Sequence, residues 1–214
     1  MIESGLTEIL CNGLDALDLS LPPIQQQQLV DYCLLLHKWN RTYNLTAIRD
    51  PQQMVIRHVL DSLVLLPYLD QDHWLDVGSG AGIPSIPLAI VRPEWQWDSI
   101  DSNGKKTRFQ IQAKASLGLK NFQVHQCRIE ALSLQRPVQR IISRAFSELA
   151  DFVHLTAHLE TPQTRWFAMK GQFPQTELAA LPTEFDCIAH HSLQVPQLNE
   201  ERHLIILGRS TGKG

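Results

Sequence analysis

No apolar run of about eighteen residues occurs anywhere in the 214-residue chain, so a membrane-spanning helix is not expected. The opening stretch, MIESGLTEIL, has no basic segment followed by an apolar one. A signal peptide is therefore not expected either, and the cytosol is the compartment these absences point to. Cysteine is scarce and scattered. Cys11, Cys33, Cys127 and Cys187 form no C-x-x-C pair, which argues against a zinc cluster or a disulfide framework and makes them small core hydrophobes. Charge of one sign is also lacking. With 19 basic and 22 acidic side chains the net charge is −3, so any nucleic-acid binding must use a local basic patch. No Gly-Lys-Ser/Thr phosphate loop and no internal repeat is present, and the four glutamines at 25–28 are too few to form a low-complexity segment.

What is present divides near residue 70 into a helical N-terminal extension (1–70) and a second domain (71–214). In the first part, Leu29, Cys33, Leu36 and Trp39 or Asn40 recur at helical spacing, which predicts a helix from about Pro22 to Arg41. A second helix is signalled by Asp50-Pro51-Gln52-Gln53: Asp50 as cap, Pro51 at the first position, Gln53 completing a capping box. It would turn Val55, Val59 and Leu63 inward. After residue 70 the chain reads as strand, turn, helix, repeated, with strands at HWLDV, WQWDSID, FQVHQ, RIISRA, TRWFAMKG, FDCIAHHSLQV and RHLIILG. That alternation predicts an α/β fold with a mostly parallel seven-stranded sheet, helices on both faces, and an antiparallel hairpin of the last two strands at one edge.

The densest signal is DVGSGAGIPSI at 76–86. Glycine inside a regular element costs roughly 0.5–1 kcal/mol relative to alanine, so Gly78, Gly80 and Gly82 imply that a ligand approaches the backbone there. A turn after the first strand of a doubly wound sheet lies at the carboxyl edge, where such folds bind ligands. A dinucleotide site requires G-x-G-x-x-G, but position 83 is isoleucine and the third glycine comes one residue early. S-adenosylmethionine fits better. Asp76 suits its positive charge, and Asp101, 19 residues after Gly82 at the end of the next strand, offers two acceptor oxygens to a ribose. The competing reading makes the glycines a tight turn and Asp101 a surface residue.

Five motifs in order, WNRTYNLTAIRDPQQMVIRHVLDSL (39–63), DVGSGAGIPSIPLAI (76–90), DSNGKKTRF (101–109), ISRAF (142–146) and MKG (169–171), make the chain resemble the bacterial 16S ribosomal RNA guanine-N7 methyltransferases. These are also called the glucose-inhibited division protein B family. The resemblance covers nearly the whole chain. It implies a Rossmann-like class I fold that uses S-adenosylmethionine to methylate one guanine in the decoding region (530 loop) of 16S RNA, on the small subunit or its assembly intermediate, by a cytoplasmic monomer. By position it places cofactor contacts on Gly78, Ile83, Asp101, Ile129, Glu130 and Arg144. Ser79, Ser85 and Asn103 depart from common family residues without removing a charged group.

The residues agree with N7 as the acceptor. An Asp/Asn-Pro-Pro-aromatic turn, typical of exocyclic amine methylation, is replaced by Ser143-Arg144-Ala145-Phe146, and no cysteine stands where a pyrimidine nucleophile would. N7 loses no proton, so alignment rather than a general base is required. Arg144 and Lys170, at predicted strand ends, would position the substrate; their plainer readings are an ion pair and a solvated loop charge. Phe146 either stacks on the base or belongs to the core. Arg41, Arg49, Arg57, His58, Lys105, Lys106 and Arg108 are candidate RNA contacts, with Lys114 and Lys120 beside them. His58 and Asp61 are expected to pair with each other. His154 and His158 have zinc-ligand spacing but no glutamate between them and no evident third ligand, so no metal is expected. A small-molecule methyltransferase, an NAD-dependent oxidoreductase and a catalytically silent RNA-binding factor are the rival functions.

Overall fold

A computed structural model describes residues 2–70, 73–146 and 148–210. Seven strands form one sheet: β1 (His73–Val77), β2 (Gln96–Ile100), β3 (Phe122–His125), β4 (Arg140–Ser143), β5 (Arg165–Lys170), β6 (Phe185–Ser192) and β7 (His203–Arg209). Their order is β3-β2-β1-β4-β5-β7-β6. The first five run parallel, and β7 is antiparallel to both β5 and β6. The order reverses between β1 and β4, so the crevice at their carboxyl ends is the place where this topology accepts a ligand.

The N-terminal helices are α1 (Ile2–Ala16), α2 (Pro23–Tyr43), α3 (Pro51–Met54), a π-helical turn (Val55–Leu60) and α4 (Asp61–Leu63). Pro23 opens α2 at the first turn, and Asn44 closes it in the left-handed conformation. Its inward stripe is Leu29, Cys33, Leu36 and Asn40, all buried, as the spacing predicted. Asp50 caps α3 by accepting from Gln52 N at 3.0 Å. The capping box does not form, because Gln53 instead accepts from Arg57 Nε at 3.1 Å.

The remaining helices are α5 (Ser85–Val91), α6 (Gly104–Leu117), α7 (Leu149–Thr156) and α8 (Gln175–Ala179). One sheet face shares a core with α1 to α6, in which Leu6, Leu36 and Val59 join Trp74, Trp97 and Phe109. The change of pattern near residue 70 is thus a change of element type within a shared core. The other face packs Leu75, Ile141, Trp166 and Leu207 beneath Phe152 and Val153 of α7. Of the four cysteines only Cys33 is a core side chain. Cys11 and Cys127 are half-buried and Cys187, on the edge strand, is exposed. No helix among the described residues is long and apolar enough to cross a membrane.

Candidate active site

After β1 the chain turns through Gly78, Gly80 and Gly82 with φ of +69°, +60° and +78°, a region that costs a residue with a side chain roughly 1–2 kcal/mol. Crowding reinforces this at two of them: a Cβ on Gly78 would strike Ala145, and one on Gly82 would strike Ile86. Gly80 differs, since its Cβ would meet nothing nearer than Lys106 Nζ at 3.9 Å. Bare main chain is therefore accessible at Gly80.

The turn is fastened from below. Gly78 N and Ser79 N both donate to Ile100 O, at 2.9 and 3.1 Å. Gln110 of α6 donates from Nε2 to Ser79 Oγ and to Gly80 O, both at 2.8 Å, and its Oε1 accepts from Ser99. From the N-terminal helices, Tyr32 donates to Ala81 O at 2.9 Å. None of Tyr32, Ser99 and Gln110 was singled out from sequence. Ser99 and Gln110 read there as ordinary strand and helix residues.

The two acids take different places. Asp101 ends β2 beside the turn: Oδ2 accepts from Gly80 N at 2.9 Å and Oδ1 from Asn103 N at 2.8 Å, with Lys106 Nζ 3.9 Å away. Each oxygen keeps a further lone pair. Asn103 in turn caps α6 through Lys105 N. Asp76 is fully buried beneath the turn and does not line an open strand end as the sequence suggested. Its Oδ2 accepts from Ser85 N and Oγ, while its Oδ1 has no partner among the described residues. Burial pushes its carboxyl up to about 7 against the Ser85 bonds. Ile83 is likewise buried, at the start of the α5 turn. Ile129 is buried and Glu130 exposed in a short 3-10 turn (Ile129–Ala131) after β3.

This donor set fits S-adenosylmethionine. It combines an open glycine, an acid at the end of β2 and an orphaned buried carboxylate oxygen behind the turn, a combination suited to a cationic ligand and hostile to a pyrophosphate.

Beyond β4 the chain continues from the turn into a second space. Ala145 lies against Gly78, and its neighbour Arg144 borders a cavity of about 290 Å³, also lined by Arg57, Lys170, Arg202 and Asp61. Asp61 is buried, accepting from Arg144 Nη1 on Oδ2 at 3.0 Å and from Arg202 Nε on Oδ1 at 3.1 Å. Burial pushes its carboxyl up while both arginines pull it down. The expected His58–Asp61 pair does not form. The π-helical turn is wider than an α-helical one and rotates the two side chains apart, so His58 contacts Thr46 Oγ1 at 3.0 Å and Arg57 O at 3.0 Å. Burial, with Arg144 nearby, lowers His58 to about 3. It is buried and borders the same cavity as Arg144.

Arg57 forms a two-pronged pair with Glu200. Arg49 is tied to Asn40 O and Asn44 Oδ1, while Arg41, Lys105 and Arg108 are exposed and Lys106 half-buried. Lys170 is not a solvated loop charge. It donates to Glu177 at 2.6 Å and to Phe146 O at 3.1 Å. The Phe146 ring stacks on Phe152 with centroids 5.1 Å apart, on the core side. His154 and His158 do not share a helix face, because α7 ends at Thr156 and His158 turns toward Leu132 O. Among the described residues no group of three potential ligands is arranged to hold a metal.

A family model described as rRNA small subunit methyltransferase G matches residues 25–205. The chain is 52% identical over 202 residues to a Ribosomal RNA small subunit methyltransferase G of Pseudomonas aeruginosa, covering 94% of each chain. It is 48% identical to the protein of the same name from Hahella chejuensis, covering 97% of this chain and 96% of the other. Among solved structures, the glycopeptide N-methyltransferase MtfA, crystallised with (S)-adenosyl-L-homocysteine, superposes with a TM-score of 0.61 at 8% identity, over 72% of this chain and 87% of that one. The last likeness concerns the fold alone.

Proposed function

The chain belongs to the rRNA small subunit methyltransferase G family, and from that premise we propose which residues carry the reaction and where it acts. The enzyme transfers a methyl group from S-adenosylmethionine to guanine N7 of 16S ribosomal RNA. We infer that the target guanine lies in the decoding region, the 530 loop, and is met on the small subunit or its assembly intermediate by a monomer in the cytoplasm. The helices of residues 1–70 would face the RNA.

The observation that carries the assignment of roles is the continuity between turn and cavity: Ala145 abuts Gly78, and Arg144, one residue earlier, borders the cation-lined cavity. Asp101 and the main chain at Gly80 hold the ribose and amino-acid portions of the cofactor, and Asp76 supplies negative charge from below. When bound, S-adenosylmethionine supplies an electrophilic methyl carbon, which guanine N7 accepts on its in-plane lone pair. No side chain has to remove a proton. Catalysis by the protein is alignment, an effect that can supply ~7–11 kcal/mol. Arg144 is fixed by Asp61 and Arg57 O, and Lys170 by Glu177 and Phe146 O. They are held rigidly enough to orient guanine O6 or an adjacent phosphate.

The test is a labelled-methyl transfer assay on intact small subunits, naked 16S RNA and a metabolite panel, with N7-methylguanine mapped by chemical cleavage. Label in RNA, at one guanine of the 530 loop, is the expected result. Label confined to small molecules would overturn the reading.

A further inference from the structure

Four cations line the 290 Å³ cavity: Arg57, Arg144, Lys170 and Arg202. Among the described residues three carboxylates answer them, and they are not equivalent. Asp61 is buried and grips two arginines from one helix end. Glu177 is largely covered and also accepts from Leu149 N at 2.9 Å, which fastens the start of α7. Glu200 has neither constraint. It is exposed, its side chain retaining 43% of its accessible surface, and it lies in the connection between β6 and β7.

The Glu200 carboxylate is nonetheless held like a ligand. Arg57 approaches it with both terminal nitrogens, Nη2 to Oε1 at 2.6 Å and Nη1 to Oε2 at 3.0 Å, and Arg202 Nη2 reaches Oε2 at 3.0 Å. One guanidinium fork and a nitrogen of a second guanidinium converging on two oxygens is a geometry that also suits a phosphate. Arg57 comes from the π-helical turn and Arg202 from the residue before β7, 145 positions later, so the fold assembles this clamp. Arg202 also bonds Asp61, which holds Arg144, so the clamp is mechanically continuous with the residue proposed to orient the base.

Resting on the proposed function, we propose that Arg57 and Arg202 form a binding site for a backbone phosphate of the substrate RNA, and that Glu200 is a tethered placeholder which the phosphate displaces. A phosphodiester carries the same single charge as the carboxylate, so the exchange leaves the clamp neutralised. With Glu200 removed, the excess of cations over carboxylates rises from one to two. In the RNA-free protein the placeholder keeps two arginines paired and their forks correctly oriented. It also opposes nonspecific anions, because only a polyanion with several simultaneous contacts can outcompete a tethered carboxylate.

The experiment measures binding of a 16S RNA fragment containing the 530 loop by filter retention at several salt concentrations, independently of methyl transfer. Glu200→Ala is expected to tighten RNA binding about fivefold, within the range of an exposed ion pair, with affinity for S-adenosylhomocysteine unchanged. Glu200→Gln should behave similarly. Arg57→Ala should weaken binding about tenfold and reduce the salt slope by about one, and Arg57→Lys should restore the slope but not the affinity. Weakened or unaltered binding in both Glu200 variants would make Glu200 a scaffold for the arginines and overturn the proposal, as would failure of the unaltered protein to retain the RNA. RNA retained and regulated in this way but never methylated would instead sink the methyltransferase reading while leaving the clamp standing.

Discussion

The Tyr32 hydroxyl, on the second N-terminal helix, donates to the carbonyl of Ala81 in the middle of the glycine turn at 2.9 Å. Both groups are buried, and burial pushes the Tyr32 phenol well up. The extension thereby holds the cofactor turn directly, across 49 positions of sequence.

Tyr32→Phe removes the donor and strands a buried carbonyl, a loss of about 1–3 kcal/mol. Denaturant unfolding should show this as a lower midpoint. Titration calorimetry with S-adenosylhomocysteine should show weaker binding, because the turn at Gly80 is no longer fixed. A variant with reduced stability but unchanged ligand affinity would separate the hydroxyl from the site.

Asp101→Ala removes the acceptor at the end of β2 and frees Gly80 N. On the proposed role of Asp101 in holding the ribose, loss of charge-assisted bonds to two hydroxyls amounts to about 3 kcal/mol, or roughly hundredfold in cofactor affinity. RNA retention should be unaffected, since Asp101 lies outside the cation-lined cavity. Equal loss of both would mean that the two sites are not separable.

Asp76 predicts a pH dependence. Its folded-state carboxyl stands near 7 through burial, above its value of about 3.9 in an unfolded chain. Between about pH 4 and 7 the folded state therefore holds a proton that the unfolded state has released, and this group makes stability fall as pH rises through that window. Asp76→Asn should flatten that part of the stability profile. Because a sulfonium cation is best received by the ionised form, affinity for S-adenosylmethionine should fall about fivefold from pH 7 to pH 6 in the unaltered protein and stay level in the variant.

On the far side of the sheet, Asp98 bridges β1 and β3, accepting from His73 Nε2 at 2.7 Å and from His125 Nε2. Burial pushes its carboxyl up, but the bonds from His125 and His73 outweigh this and hold it at about 2. The stability it contributes is complete above the unfolded value near 3.9 and is lost as pH falls toward 2. Asp98→Asn should cost on the order of 2 kcal/mol at neutral pH and shift the onset of acid unfolding upward. An unchanged acid limb, followed by circular dichroism, would refute it.

Residue order alone determined the alternation of strand and helix, the antiparallel last pair, and the glycine turn with an acid at the next strand end. These are local constraints. A left-handed φ, a cap or an apolar stripe acts within a few residues and so leaves a local mark. Even so, local reading placed Asp76 at an open strand end and paired His58 with Asp61. Burial beneath the turn and the π-helical twist are properties of the packed molecule. Tertiary structure alone decided that Asp61 holds Arg144 and Arg202, that Glu200 fills a fork between Arg57 and Arg202, and that Tyr32 supports the turn. Apart from Glu200 and Arg202, which are two positions from each other, those partners lie 49 to 143 positions apart. Which side chains meet at such separations is set by strand order and by the faces that helices bury, and no short stretch of sequence encodes either.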